Sequence, residues 1–190
     1  VGLEKFFFEL MSLLMSFLMS IGSITAPGTD DLINQINDDA ALKFVVTGDP
    51  QVCSYNPSRE ANLIEASQDL VNSQITLDAF VIAGDIAENG LQAEFDRITE
   101  DIRDIPANNF IMAAGNHDIR LREYEQCVET ITGFMNQFNA EENHVTELYY
   151  EYDVNGYKFL VVASDEASFE EAFISDAQLQ WLNLALKEYT

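Results

Sequence analysis

Residues Lys43–Gln51 read KFVVTGDPQ, and this stretch decides the fold. Leu42–Thr47 is a short apolar, β-rich run with no alternation, as expected of a strand buried on both faces of a parallel sheet. Gly48 stops it, and Asp49, Pro50 and Gln51 follow at once. The pattern recurs twice. Ala79–Ala83 (AFVIA) runs into Gly84-Asp85-Ile86-Ala87-Glu88-Asn89-Gly90, and Asn109–Ala114 (NFIMAA) runs into Gly115-Asn116-His117-Asp118. Between the runs, Leu63, Ile64, Leu70, Val71 and Ile75 fall at helical spacing and predict a helix over Asn62–Ile75. Further helices are expected near Leu91–Ile105 and Glu123–Phe138. Strands alternating with helices predict an α/β fold with a parallel sheet covered on both faces.

The pattern then changes. Leu148–Val154 and Tyr157–Ser164 flank Asn155-Gly156, a strong signal for a two-residue hairpin turn. Ser175 and Gln178 form a capping-box pair that opens a last helix, with Leu179, Trp181, Leu182 and Leu186 at its apolar positions.

The chain has 190 residues, 47 % of them hydrophobic, enough for one core. It carries 33 acidic side chains against 9 Lys and Arg, for a formal net charge of −24. A surface of this sign repels phosphate backbones, so nucleic acid is not expected as a stoichiometric partner. Acidity of this kind suits solubility, a salty environment or cation binding without choosing among them.

Residues 1–28 differ in character from the rest. Leu10 to Ile24 holds no charge, a length that fits the apolar core of a signal peptide, with small residues at Ser23 and Ala26. Extended to Gly28 the stretch also suits a membrane anchor, and Ser12, Ser16 and Ser20 share one helix face. A buried helix is the third reading. The expectation is an exported protein that touches membrane only through this segment. Residues 29–40 (TDDLINQINDDA) read as a polar linker, without the Gly and terminal Glu of a calcium loop, so the globular domain is expected over 41–190. Cys53 and Cys127 are the only cysteines. One disulfide is possible if the chain is exported, and two buried thiols are the plainer reading.

In an open α/β sheet, ligands sit at the carboxyl ends of the strands. That edge would gather Asp49, Gln51, Asp85, Asn116, His117 and Asp118. Oxygen donors and an imidazole on neighbouring strand ends make a hard-to-borderline metal site, and crowded carboxylates need positive charge to stay ionised. A single Gly-Asp or Asn-His-Asp after a strand is usually a turn. Three such endings on consecutive βα units are hard to assign to turns.

GDPQ, GDIAENG and GNHD together resemble the calcineurin-like metallophosphoesterases, whose first motifs are GD-x-H, GD-x-x-x-x-G and GNH[DE]. Asp49 and Asp85 stand 36 residues apart, and Asp85 and Asn116 stand 31 apart, which also fits. The resemblance covers Leu42 to the end of the chain. It implies a layered α/β/β/α sandwich, here cut before its second sheet is complete, and hydrolysis of phosphomonoesters or phosphodiesters at a dinuclear metal centre. Asp49 and Gln51 would bind the first metal, Asp85 would bridge both and Asn116 would bind the second. His117 would assist at the phosphate, oriented by Asp118, and metal-activated hydroxide would attack phosphorus.

Two departures from the family pattern matter. Gln51 stands where many members have histidine, and its carboxamide oxygen shifts preference among Mn, Fe, Mg and Zn toward Mn or Fe. The family also completes its site with downstream histidines, whereas this chain has only His117 and His144, and His144 reads as a solvated loop residue. The missing ligands are therefore expected beyond Thr190, and the chain as given is expected to be inactive. Glu88 stands where the purple acid phosphatase branch has a tyrosine that ligates iron, which sets that branch aside. Arg120 and Arg122 are candidates to hold a substrate phosphate, or else to pair with Glu123 and Glu125. Two rival readings are a phosphoesterase-like domain that holds no metal pair and an acidic cation-binding module.

Overall fold

The computed structural model describes residues 40–120, 122–166 and 171–189. The expected leader (1–28) and all of the expected linker but its last residue lie outside the described residues. Among those described, no helix is long and apolar enough to cross a membrane.

Three parallel strands form the main sheet: β1 (Phe44–Thr47), β2 (Ala79–Ala83) and β3 (Phe110–Ala113), in the order β1-β2-β3. The register sets Phe44 beside Ala79 and Val46 beside Val81 on one face, with Val45 beside Phe80 and Thr47 beside Ile82 on the other. Helix α1 (Pro57–Asn72) returns the chain from β1 to β2, and α2 (Gln92–Ile102) from β2 to β3. Both crossovers step in the same direction, and right-handed crossovers of that kind place their helices on one face. That face holds most of the core: Phe80, Ile82 and Met112 from the strands and Phe95, Ile98 and Ile102 from α2 are buried there. Ala79 and Ile111 are buried on the other face as well, which explains the unbroken apolar sequence of β2 and β3.

The opposite face is not covered in the same way. Phe44 meets Phe159 edge to face at 5.7 Å, but Val46 remains 55 % exposed and Ala83 is also exposed. The expectation of a sheet covered on both faces therefore fails at β1, because α1 and α2 take the same side and only the hairpin reaches the other.

Helix α4 (Tyr124–Met135) packs against α2 and β3, adding Ile131, Phe134 and Met135 to the core. Beyond it lies the expected hairpin, β4 (Tyr150–Val154) and β5 (Tyr157–Val161), a separate two-stranded antiparallel sheet. Asn155 and Gly156 both have positive φ, as a type I′ turn requires. Among the described residues no strand pairs with the outer edge of β3, where Ser164 N donates to Ala114 O at 2.9 Å just past the strand. Asn139 exchanges two hydrogen bonds with the Phe110 backbone, each 2.9 Å, and the Tyr150 hydroxyl accepts from Met112 N and donates to Met112 O.

Helix α5 (Asp176–Glu188) opens with Ser175 Oγ accepting from Gln178 N at 3.2 Å, half of the expected capping box. The other half is replaced. Ser175 N donates to Asp165 Oδ1, and the buried Gln178 side chain bonds both N and O of Ala163. Gln178 thus ties α5 to the chain leaving β5. Cys53 and Cys127 are both buried and both free.

Candidate functional site

The carboxyl ends of β1 and β2 stay side by side after the strands finish. Asp49 N donates to Gly84 O, Gln51 N to Asp85 O, Val52 N to Ile86 O, and Glu88 N back to Val52 O. This zipper of backbone bonds carries the two loops out together and brings Gln51 to Asp85, with Gln51 Nε2 3.4 Å from Asp85 Oδ2. Asp49, Gln51 and Asp85 all have φ between 42° and 50°. Each non-glycine residue in this left-handed region costs on the order of 1 kcal/mol, and such outliers cluster at functional sites.

The third ending joins through β3. His117 N donates to Asp85 Oδ1 at 3.1 Å. This approach needs Gly115, since a Cβ there would sit 2.0 Å from Asp85 Oδ1 and 2.4 Å from Asp85 N. Asn116–Ile119 forms a single helical turn, α3, that the sequence reading did not foresee.

Asp118, at the third position of α3, is fully buried. Its carboxylate accepts from Gly115 N at 2.8 Å, Ala87 N at 2.8 Å and Ile86 N at 3.1 Å. Burial pushes its pKa up to about 7 against those amides, and the charge of Asp85 adds to the rise. Its oxygens thus fasten the β2 loop to the β3 loop, and they do not hold the His117 ring. The residue beside the His117 ring is Glu88. His117 Nδ1 lies 3.0 Å from the Glu88 carbonyl oxygen and 3.5 Å from Glu88 Oε1. Because a carbonyl can only accept, Nδ1 carries the proton and Nε2 is the nitrogen left for a ligand.

Glu88, absent from the residues the sequence offers as candidates, is the hub of the site. It is buried, and its carboxylate pairs with Arg59 from the first turn of α1 and with Arg120 Nη1 at 3.3 Å. Burial raises its pKa, but hydrogen bonds from Arg59 and Tyr55 and the nearby His117 and Arg59 outweigh that and hold the carboxyl below its usual range. Arg59 was missed because nothing local marks it, and only the path of α1 brings it to the β2 loop.

Arg120 also donates to the Glu88 carbonyl at 3.0 Å and to Asn89 Oδ1 at 3.3 Å, and Arg122 bonds the Asp118 carbonyl. Both guanidinium groups are engaged with the loops of the site. Arg122 packs beside Gly90, whose φ is +60° and where a Cβ would lie 1.8 Å from Asp118 O. Glu94 accepts from Asn89 N and Leu91 N and so closes the same loop. His144 lies apart from the site, exposed, with Nε2 3.2 Å from Asn139 O.

Asp49, Gln51, Asp85 and Asn116 therefore stand on adjacent strand ends as two carboxylates and two carboxamides. The set fits hard or borderline cations in donor type. It is short of acid ligands: among the described residues no three His, Cys, Asp or Glu are grouped to hold a metal ion.

No curated protein matches the chain. Among solved structures it is similar to purple acid phosphatase PPD1 from yellow lupin (Lupinus luteus) seeds, with 17 % identity and a TM-score of 0.53 over 77 % of this chain. That likeness is one of fold, and the chain spans only 27 % of the lupin protein. The model of the calcineurin-like phosphoesterase family matches residues 42–184, from β1 into α5. The mixed α/β architecture, with its parallel sheet and helices, agrees with that match, and the chain belongs to the calcineurin-like phosphoesterase family.

Proposed function

We propose that this chain carries the first part of the active site of a metal-dependent phosphoester hydrolase acting on phosphomonoesters or phosphodiesters. Membership of the family supports phosphoester hydrolysis in general. The observation that carries the finer reading is the joining of three strand ends, with Asp85 receiving His117 N while Glu88 holds His117 Nδ1.

Asp49, Gln51, Asp85 and Asn116 would hold two cations, Mn or Fe being favoured by the carboxamide donors. Two six-coordinate ions need more donors than these four, which water, phosphate oxygens or further residues would supply. When bound, the cations would neutralise phosphate charge and supply an activated water. The rest falls to the chain itself. His117, its tautomer fixed by the Glu88 carbonyl, offers Nε2 to a phosphate or leaving-group oxygen. Asp118 keeps the two loops in register, and Arg59 and Arg120 balance the charge of Glu88. Export, with the N-terminal segment as signal or anchor, belongs to the same proposal.

The test is metal content and turnover of p-nitrophenyl phosphate and bis-p-nitrophenyl phosphate by the full-length protein with added Mn²⁺. Turnover that disappears in Asp85→Asn supports the proposal. A protein without metal and without Asp85-dependent turnover is a phosphoesterase-like domain with no hydrolytic centre.

A further inference from the structure

Helices α1 and α2 pack against each other and leave a groove of about 280 Å³ between them. Helices in such crossovers run antiparallel to the strands. The groove is bordered by the second half of α1 and the end of α2, so it lies toward the amino ends of the strands, away from Asp49 and Asp85. Glu100, Asp101 and Asp104 supply its acidic border, and Ile64, Val71 and Ile105 its apolar walls.

Two buried polar atoms in this groove have no partner. Ser67 is 5 % exposed and lines the groove, yet its Oγ makes no hydrogen bond, and Asp101 Oδ2 is likewise buried and unpaired. Leaving such a group unsatisfied costs about 1–3 kcal/mol, so an acceptor and a hydroxyl left unpaired in one groove point to a missing donor. The neighbouring cations pair with residues other than Asp101: Arg97 with Glu60, and Arg103 with Glu100 on the groove border. Burial pushes the Asp101 pKa up to about 6 and the charge of Glu60 adds to it, with Arg97 opposing. Asp101 Oδ2 thus receives no hydrogen bond from Arg97, which acts on it by its charge alone.

The chemistry of the walls narrows the ligand. An anion would be repelled by three carboxylates. A metal ion is disfavoured because these carboxylates do not form a group able to hold one, and a hydrated ion gains nothing from Ile64, Val71 and Ile105. An ammonium group on a methylene chain satisfies both parts, donating to Asp101 Oδ2 and Ser67 Oγ while its chain covers the apolar walls. The volume is near the lower end of the range for small-molecule sites, about 300–1,000 Å³. We propose that the α1–α2 groove binds a small aliphatic diamine or polyamine, its ammonium held by Asp101 and Ser67.

The test is calorimetric titration of the full-length protein with 1,5-diaminopentane near neutral pH at fixed ionic strength, beside 1,5-pentanediol as neutral isostere and Ca²⁺ as simple cation. Saturable binding of the diamine with none of the diol is expected. Asp101→Asn should weaken it about tenfold to a hundredfold, the worth of one charged hydrogen bond. Val71→Lys, at a half-exposed position, should abolish it in a folded protein by placing an internal ammonium in the groove. Asp85→Asn should bind the diamine as the parent does, which separates this site from the hydrolytic one. Equal binding of the diol, diamine affinity unchanged in both groove variants, or displacement of the bound diamine by Ca²⁺ in Asp85→Asn would overturn the proposal.

Discussion

The backbone amide of His117 donates to Asp85 Oδ1 at 3.1 Å, while Asp85 Oδ2 lies 3.4 Å from the Gln51 amide. One carboxylate therefore links all three strand ends. A change that moves Asp85 disturbs the imidazole and the Gln51 loop together.

Gly115→Ala is the smallest such change. Its Cβ would meet Asp85 Oδ1 at 2.0 Å, so Asp85 must move. A displacement of about 1 Å at a catalytic constellation costs about a hundredfold in rate. Mn²⁺-dependent hydrolysis of bis-p-nitrophenyl phosphate should fall by that order. Gly133, inside α4 with nothing near its Cβ position, is the control. Gly133→Ala should keep full activity and gain about 0.5–1 kcal/mol in urea denaturation.

Asp118 makes a different prediction, because its three hydrogen bonds are to backbone amides. Asp118→Ala leaves Ile86, Ala87 and Gly115 N–H groups unpaired. The expected loss is on the order of 3 kcal/mol or more in chemical denaturation. Full stability in this variant would show that water replaces the carboxylate.

Glu88→Gln keeps the backbone carbonyl that binds His117 Nδ1 but removes the charge facing Arg59 and Arg120. Arg59 and Arg120 then lose the charge of Glu88, and a cost of about 2 kcal/mol is expected from weakened charge-assisted bonds. The catalytic signature should be a lower kcat at unchanged metal content, read by elemental analysis alongside initial rates.

Asp101 connects stability to pH. Its pKa is raised from the ordinary 3.8 to about 6, so the folded state holds the proton more tightly than the unfolded chain. The stabilising contribution is complete below pH 3.8 and disappears as pH rises through about 6. Asp101→Asn should therefore melt higher than the parent near neutral pH, and the difference should shrink toward pH 4. Parallel melting curves that never converge on acidification would count against this.

Most of the sheet was legible because buried parallel strands are written as unbroken apolar runs. AFVIA became β2 without adjustment, and the Asn155-Gly156 turn formed as its residues require. Helix α1 was placed too late. The apolar spacing begins at Leu63, but the helix starts at Pro57, whose fixed φ suits a first turn. The motif residues were legible as types at strand ends. Their mutual contacts were not, since Asp118 bonds the amides of Ile86, Ala87 and Gly115 while Glu88 meets the His117 ring, across loops far apart in sequence. Arg59 was invisible for the same reason, as its meaning depends on where α1 begins over the site.

The capping of β3 by Asn139 and Tyr150 gives the sheet a direction of growth. Side chains occupy the hydrogen-bonding groups of Phe110 and Met112, and Ser164 N donates to Ala114 O at 2.9 Å, so that margin is already taken from Phe110 to Ala114. Among the described residues β1 has a strand on one side only, and its Phe44 and Val46 are largely uncovered. Any strand recruited to this sheet, from the same polypeptide or from another molecule, must therefore enter beside β1, next to the loop that carries Asp49 and Gln51. Extension of the sheet and access to the site are thus matters of one border.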